Sequence, residues 1–194
     1  MQKLDAAKRE AIVNAAKQRL RKYGIQKTTM QEIAKDAGIA VGTLYLYFKN
    51  KDDILVASAE AFTEQHKLEI EEILNSAKSP PEKLKFYIVN RFRASKETRN
   101  SGSHAAELAR AVFRLNPQLL LEQSNWTRDI LSKILQDGMD KKIFSIDNLE
   151  RDVEVFLHAI AYFFPIATTE RYFEPEEDKL SMLIDWFTEK WSKD

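Results

Sequence analysis

The sequence predicts an all-α protein of about nine helices, the first three of them forming a small unit of their own. Three observations carry this expectation. Five glycines and five prolines in 194 residues leave long segments without a break. Apolar residues recur at helical spacing, and no alternating run is long enough to argue for a strand. Capping signatures recur along the chain at the intervals that separate helices.

The elements follow in order. A first helix over about 5–23 puts Ile12, Ala16, Leu20 and Tyr23 on one face, and Gly24 ends it. Thr29 and Glu32 have the spacing of a capping box, so a second helix begins near Met30, with Ile33, Ala34 and Ala37 as its apolar face. Gly38 can take positive φ and stop it. A third helix covers about 41–48. Asn50 and Asp53 suit the start of a fourth, running to about Leu74. Ser79-Pro80 opens a fifth, because proline is favoured in a first turn. Ser101-Gly102-Ser103 reads as a loop before a sixth helix that reaches about Leu115. Asn116-Pro117 starts the seventh, which Gly138 is expected to end. Asp147 and Glu150 bracket the start of the eighth, and Glu174-Pro175 precedes a ninth ending near Trp191.

The second and third helices carry the functional signal. At about 100° per residue, the third helix turns Leu44, Phe48 and Val41 inward. Gly42, Thr43 and Leu46 fall on the opposite side, with Tyr45 and Tyr47 on the flanks. A helix that reads DNA needs an inward anchor, small or contact-making residues toward the bases, and hydroxyls beside the phosphates. A helical hairpin in a globular core is the alternative. The outward Leu46, the two phenols and the local charge favour a DNA-binding surface.

The zero net charge of the whole chain conceals a split. Residues 1–51 hold 8 Lys and 3 Arg against 2 Asp and 2 Glu, a net of +7, and residues 52–194 carry −7. A basic N-terminal segment supplies the salt-dependent part of DNA affinity. An acidic remainder helps orient it.

The first 55 or so residues resemble the DNA-binding domain of TetR-family transcriptional regulators. The matching pieces are the Ala-Ala-Lys-Gln-Arg-Leu-Arg-Lys-Tyr-Gly run at 15–24, Thr28-Thr29, Ile33-Ala34, Ala37-Gly38, Gly42-Thr43-Leu44-Tyr45, Tyr47-Phe48, and Lys51 followed by Asp53-Ile54-Leu55. The resemblance implies a helix-turn-helix domain over 1–50 and a helical ligand-binding and dimerisation domain over 51–194. It assigns DNA contacts to Thr28, Thr29, Gly42, Thr43, Tyr45, Leu46, Tyr47 and Lys51, with Tyr45, Tyr47 and Lys51 toward phosphates. Two positions depart in chemistry. Val41 faces the core where many members carry a polar residue, and Leu46 offers only apolar contact, for example to a thymine methyl. Recognition is therefore expected to lean on phosphates, methyl contacts and DNA shape.

The C-terminal body resembles the family in length and helical count. Its eighth helix reads as apolar nearly all round, from Val153 to Ile166, and the ninth adds Leu180, Leu183, Ile184, Trp186, Phe187 and Trp191. A helix without a polar face needs burial on both sides, which predicts a homodimer through helices 8 and 9. A monomer packing both faces internally is the alternative. The resemblance also implies a small-molecule effector among helices 4 to 8. Candidate wall and orienting residues are Phe62, His66, Phe86, Asn90, Arg93, His104, Glu107, Trp126, Phe156 and Tyr162. The same aromatics at helical spacing also suit a plain core.

Other classes are disfavoured. Zero cysteines exclude disulfides and thiolate metal sites. No His-Glu-x-x-His occurs, and no metal or cofactor is expected. No nucleophile elbow or phosphate-binding glycine loop occurs, so an enzyme is not expected. The charged N-terminus predicts no signal peptide, and no apolar run reaches a membrane span, which together predict a cytoplasmic protein. The expected function is a dimeric regulator, a repressor released from a palindromic operator by a small molecule. The alternative is a ligand-independent protein of the same fold, acting as activator or architectural factor.

Overall fold

The computed structural model describes residues 5–100, 103–164 and 174–192. Among these residues it contains nine α-helices and no strand: α1 (Ala6–Tyr23), α2 (Met30–Asp36), α3 (Val41–Tyr47), α4 (Lys51–Asn75), α5 (Pro80–Asn100), α6 (Ser103–Leu115), α7 (Gln118–Asp140), α8 (Leu149–Ile160) and α9 (Glu177–Trp191). The all-α class and the helix count agree with the sequence expectation. The Ser101-Gly102 part of the expected loop lies outside the described residues, as do Pro165 and Ile166.

The chain forms two compact units. The first comprises Met1–Lys67 and Thr98–Gln118, the second Leu68–Glu97 and Leu119–Asp194. This division does not fall at residue 50. The start of α4 completes the first core with Ile54, Leu55 and Ala57, and α6 packs Leu108 and Leu115 against it.

The first core is built from the inward faces that the helical period marks. Ile12, Ala16 and Leu20 of α1 meet Ile33 and Ala34 of α2, with Leu44 and Phe48 closing the cluster. Asp5 caps α1 by accepting from the amides of Ala7 and Lys8 at 3.0 and 3.4 Å. Gly24 ends α1 at φ +76°, with its amide donating to the Leu20 carbonyl. A side chain at Gly24 would also overlap the His104 ring.

The second unit is organised around aromatic side chains of α5, α8 and α9. Phe156 lies edge-on to Phe187 at 5.1 Å between ring centroids and packs on Trp191 at 5.6 Å. Trp191 donates from its indole nitrogen to Asp152 at 2.9 Å, so the buried ring keeps its polar partner. Lys83 is buried as well. Its ammonium donates to the carbonyl of Leu74 at the end of α4, at 2.7 Å, and faces Asp137 at 3.4 Å.

Two sequence expectations need correction here. Gly138 does not end α7, which continues to Asp140. The reversal is made by Lys142 at φ 57°, and the amides of Ile143 and Phe144 both donate to the Gly138 carbonyl. Gly138 is required for another reason: the Phe144 ring lies where its Cβ would be. The eighth helix likewise stops at Ile160 rather than running on through the aromatics. The chain turns through a short 3₁₀ segment, Ala161–Phe163, which buries Phe163 against Phe92.

Candidate nucleic-acid interface

Everything at this surface depends on how α2 and α3 are held. The Thr29 hydroxyl accepts from the Glu32 amide at 3.3 Å, and Glu32 accepts from the Thr29 amide at 2.9 Å, so the capping box is formed in both directions. Arg19 of α1 then bridges to the same carboxylate at 2.5 Å and to Asp36 at 2.8 Å. These contacts clamp both ends of α2 to α1. The Thr29 backbone and hydroxyl, followed by Arg19, hold the Glu32 carboxyl below the usual range. Asp36 first, and Glu32 after it, raise the Arg19 guanidinium.

Gly38 at φ +68° makes the turn, and the Ile39 amide donates back to Ala34 at 3.0 Å. No side chain caps α3, whose first turn bonds to the Ala40 carbonyl. Leu44 is buried completely and Phe48 nearly so, with the Arg9 guanidinium over the Phe48 ring at 5.2 Å. Anchored on that side, α3 presents Leu46 at 69% exposure and Tyr45 at 51%. Gly42 is exposed, while Thr43, Val41 and Tyr47 are half-buried. The Tyr47 hydroxyl accepts from the Asp5 amide at 3.3 Å, tying α3 to the start of α1.

Lys51 opens α4 close to this surface. Its ammonium donates to the carbonyls of Ile25 at 2.9 Å and Thr28 at 3.1 Å. Two of its three protons therefore hold the α1–α2 loop. Asn50 caps α4 through the Asp53 amide at 2.9 Å, and Asp53 accepts from the Lys49 amide at 3.1 Å.

One expected contact residue does not belong to the surface. Thr28 is 1% exposed, and its hydroxyl donates to the Gly24 carbonyl at 2.7 Å. A side chain so enclosed offers DNA no atom; it braces the loop instead. Sequence reading also missed Arg19. Its signal was present as Glu32 and Asp36, one helical turn apart and opposite in charge to a basic helix.

The expected effector residues are divided between the two units. Phe62, His66, His104 and Glu107 fall in the first, and Phe86, Asn90, Arg93, Trp126, Phe156 and Tyr162 in the second. Several are committed elsewhere. Phe62 and Tyr162 are exposed. Phe86 is partly covered by Lys78, whose ammonium lies 5.3 Å from the ring centroid. Arg93 pairs with Glu177 at 2.5 Å on the surface. Phe156 is enclosed by Phe187 and Trp191. His104 stands 3.8 Å from Glu107. A cavity of about 370 Å³ in the second unit is lined by Glu71, Leu74, Asn75, Lys83, Lys133, Ile134 and Asp137, none of them an expected residue.

Among the described residues no cluster of three His, Cys, Asp or Glu could hold a metal ion. No described helix is long and apolar enough to cross a membrane.

A short helix anchored on one side, exposed on the other and joined by a glycine turn to a capped partner defines a helix-turn-helix protein. Residues 12–58 match the family model of bacterial regulatory proteins of the tetR family. That match covers the helix-turn-helix segment, 47 of the chain's 194 residues. The chain is 37% identical over 81 residues to the fatty acid metabolism regulator protein of Bacillus subtilis (strain 168), covering 42% of either chain. The alignment thus spans less than half the length of that relative. The fold extends further. A transcriptional regulator from Cytophaga hutchinsonii superposes with a TM-score of 0.73 at 23% identity, covering 95% of this chain and 98% of that one. The fatty acid degradation regulator FadR from Bacillus halodurans gives 0.60 at 23% identity, over 96% and 95%.

Proposed function

We propose that the chain is a homodimeric transcriptional regulator acting in the cytoplasm, a repressor that leaves a palindromic operator when a small molecule binds its second unit. The observation that carries this reading is the exposed face of α3, set in an N-terminal segment of net charge +7. Thr29, Gly42, Thr43, Tyr45, Leu46, Tyr47 and Lys51 form the proposed contact set. The two tyrosines and the lysine serve phosphates, and the outward face of α3 enters the major groove.

The dimer is proposed through α8 and α9. Val155 and, beyond α8, Tyr162 are exposed, as are Met182 and Trp186 one turn apart on α9. Apolar side chains at these positions gain by being covered by a second copy. Two copies would present two α3 helices to the two halves of a palindrome.

Release follows from linkage: an effector that binds the DNA-incompetent state better must weaken DNA binding by the same factor. The proposed coupler is α4, which starts at Lys51 and contributes residues to both units. One relative is named for fatty acid metabolism and one structural neighbour for fatty acid degradation, so a fatty acid or an acyl derivative of one is the first effector to test.

The deciding experiment is selection of bound duplexes from a random DNA pool at moderate salt, read by sequencing. An enriched palindrome supports the reading, and addition of acyl compounds then tests release. Tight binding with no enriched motif supports an architectural role in its place.

A further inference from the structure

Four glycines lie within the described residues, and three have an internal reason. Gly24 and Gly38 have positive φ, and Gly24 and Gly138 are overlaid by the rings of His104 and Phe144. Gly42 has none. Its φ is not positive, and an added Cβ would meet nothing within 4 Å. It is exposed on a helix, where glycine gives up more backbone freedom on folding than any other residue. The fold bears that cost without using the space.

Leu46 stands one turn further on the same face and is 69% exposed. Helical side chains lean toward the N-terminus, over the preceding turn, so Leu46 flanks the open position at Gly42 without filling it, since nothing comes within 4 Å of where a Cβ would stand. Gly42 thus leaves an open notch on this face, with the exposed apolar side chain of Leu46 as its wall. In the major groove, the apolar group that a base pair presents is the thymine 5-methyl.

We propose that the Gly42–Leu46 notch receives a thymine methyl, which makes Gly42 a specificity-determining residue through the side chain it lacks. This rests on the operator-binding reading above. The glycine is kept for the fit of DNA against α3, at the expense of helix stability.

The test uses the full chain and the duplex it selects from a random pool. Each thymine is replaced in turn by deoxyuridine, which removes only the methyl. At one thymine per half-site the wild-type affinity falls about fourfold, the worth of one buried methyl. Gly42→Ala melts at or above the wild-type temperature, yet binds the thymine duplex about tenfold more weakly through overpacking. Deoxyuridine at that same thymine restores much of the loss. Leu46→Ala removes the wall and abolishes the methyl effect at that position. Wild-type affinity indifferent to deoxyuridine everywhere overturns the inference alone, as does Gly42→Ala binding as tightly as wild type. A chain that selects no duplex overturns the operator-binding reading, and this inference with it.

Discussion

Lys51, the first residue of α4, donates from its ammonium to the carbonyl of Thr28 at 3.1 Å, across 23 residues of sequence. With the second bond to Ile25 it fixes the α1–α2 loop to the start of α4. Charge-assisted bonds of this kind are worth about 1.5–3 kcal/mol each when they are half-buried and well made. Lys51→Ala is expected to lower the melting temperature as well as DNA affinity. Lys51→Arg should restore part of the stability. If the remaining ammonium proton reaches a phosphate, the alanine variant also reduces the slope of log affinity against log salt by about 1. Melting curves and salt titrations of the three proteins check this.

The capping box gives a pH prediction whose sign is fixed. Thr29 and Arg19 depress the Glu32 carboxyl, so its folded value lies below its unfolded one. Such a group contributes stability above the unfolded value and loses it as pH falls through the folded one. Acid should therefore loosen α2, and Glu32→Gln should flatten the pH dependence of melting on the acid side of about pH 4.3. A wild type and variant with parallel profiles there would contradict the argument. Thr29→Ala removes the cap from the other side and should cost about 1 kcal/mol at neutral pH.

Opposite substitutions at the end of α7 should have opposite signs. Gly138→Ala drives a methyl into the Phe144 ring and should destabilise the second unit by about 1–3 kcal/mol. Lys142→Gly removes a side chain from a residue at φ 57° and should stabilise by about 1 kcal/mol. Thermal or denaturant melting reads both directly.

The proposed dimer face is tested by Trp186→Glu, alone and combined with Met182→Lys. Both side chains are exposed in the single chain, Trp186 at 53%, so the substitutions should leave the fold intact by circular dichroism. Light scattering should then report a monomer, and affinity for a palindrome should fall far more than affinity for a half-site. A dimer that survives the double substitution would move the interface elsewhere.

The sequence by itself determined the helices and their inward faces. Periodicity placed Ile12, Ala16, Leu20, Ile33 and Leu44 in a core, and local capping chemistry set the starts at Thr29, Asn50 and Ser79. Each of these depends on residues within about one helical turn, which is why reading along the chain finds them. The outward position of Leu46 followed from the same geometry. Tertiary structure decided what depends on residues far apart. It turned Thr28 inward to Gly24, put two Lys51 protons on the α1–α2 loop, set Arg19 across both ends of α2, and placed Phe144 against Gly138 inside α7. It also distributed the expected effector residues between two units and buried Lys83 beside a cavity they do not line. The physical reason is the same throughout. Propensity and capping are local free energies, but a side chain's exposure and partners depend on which other element packs against it.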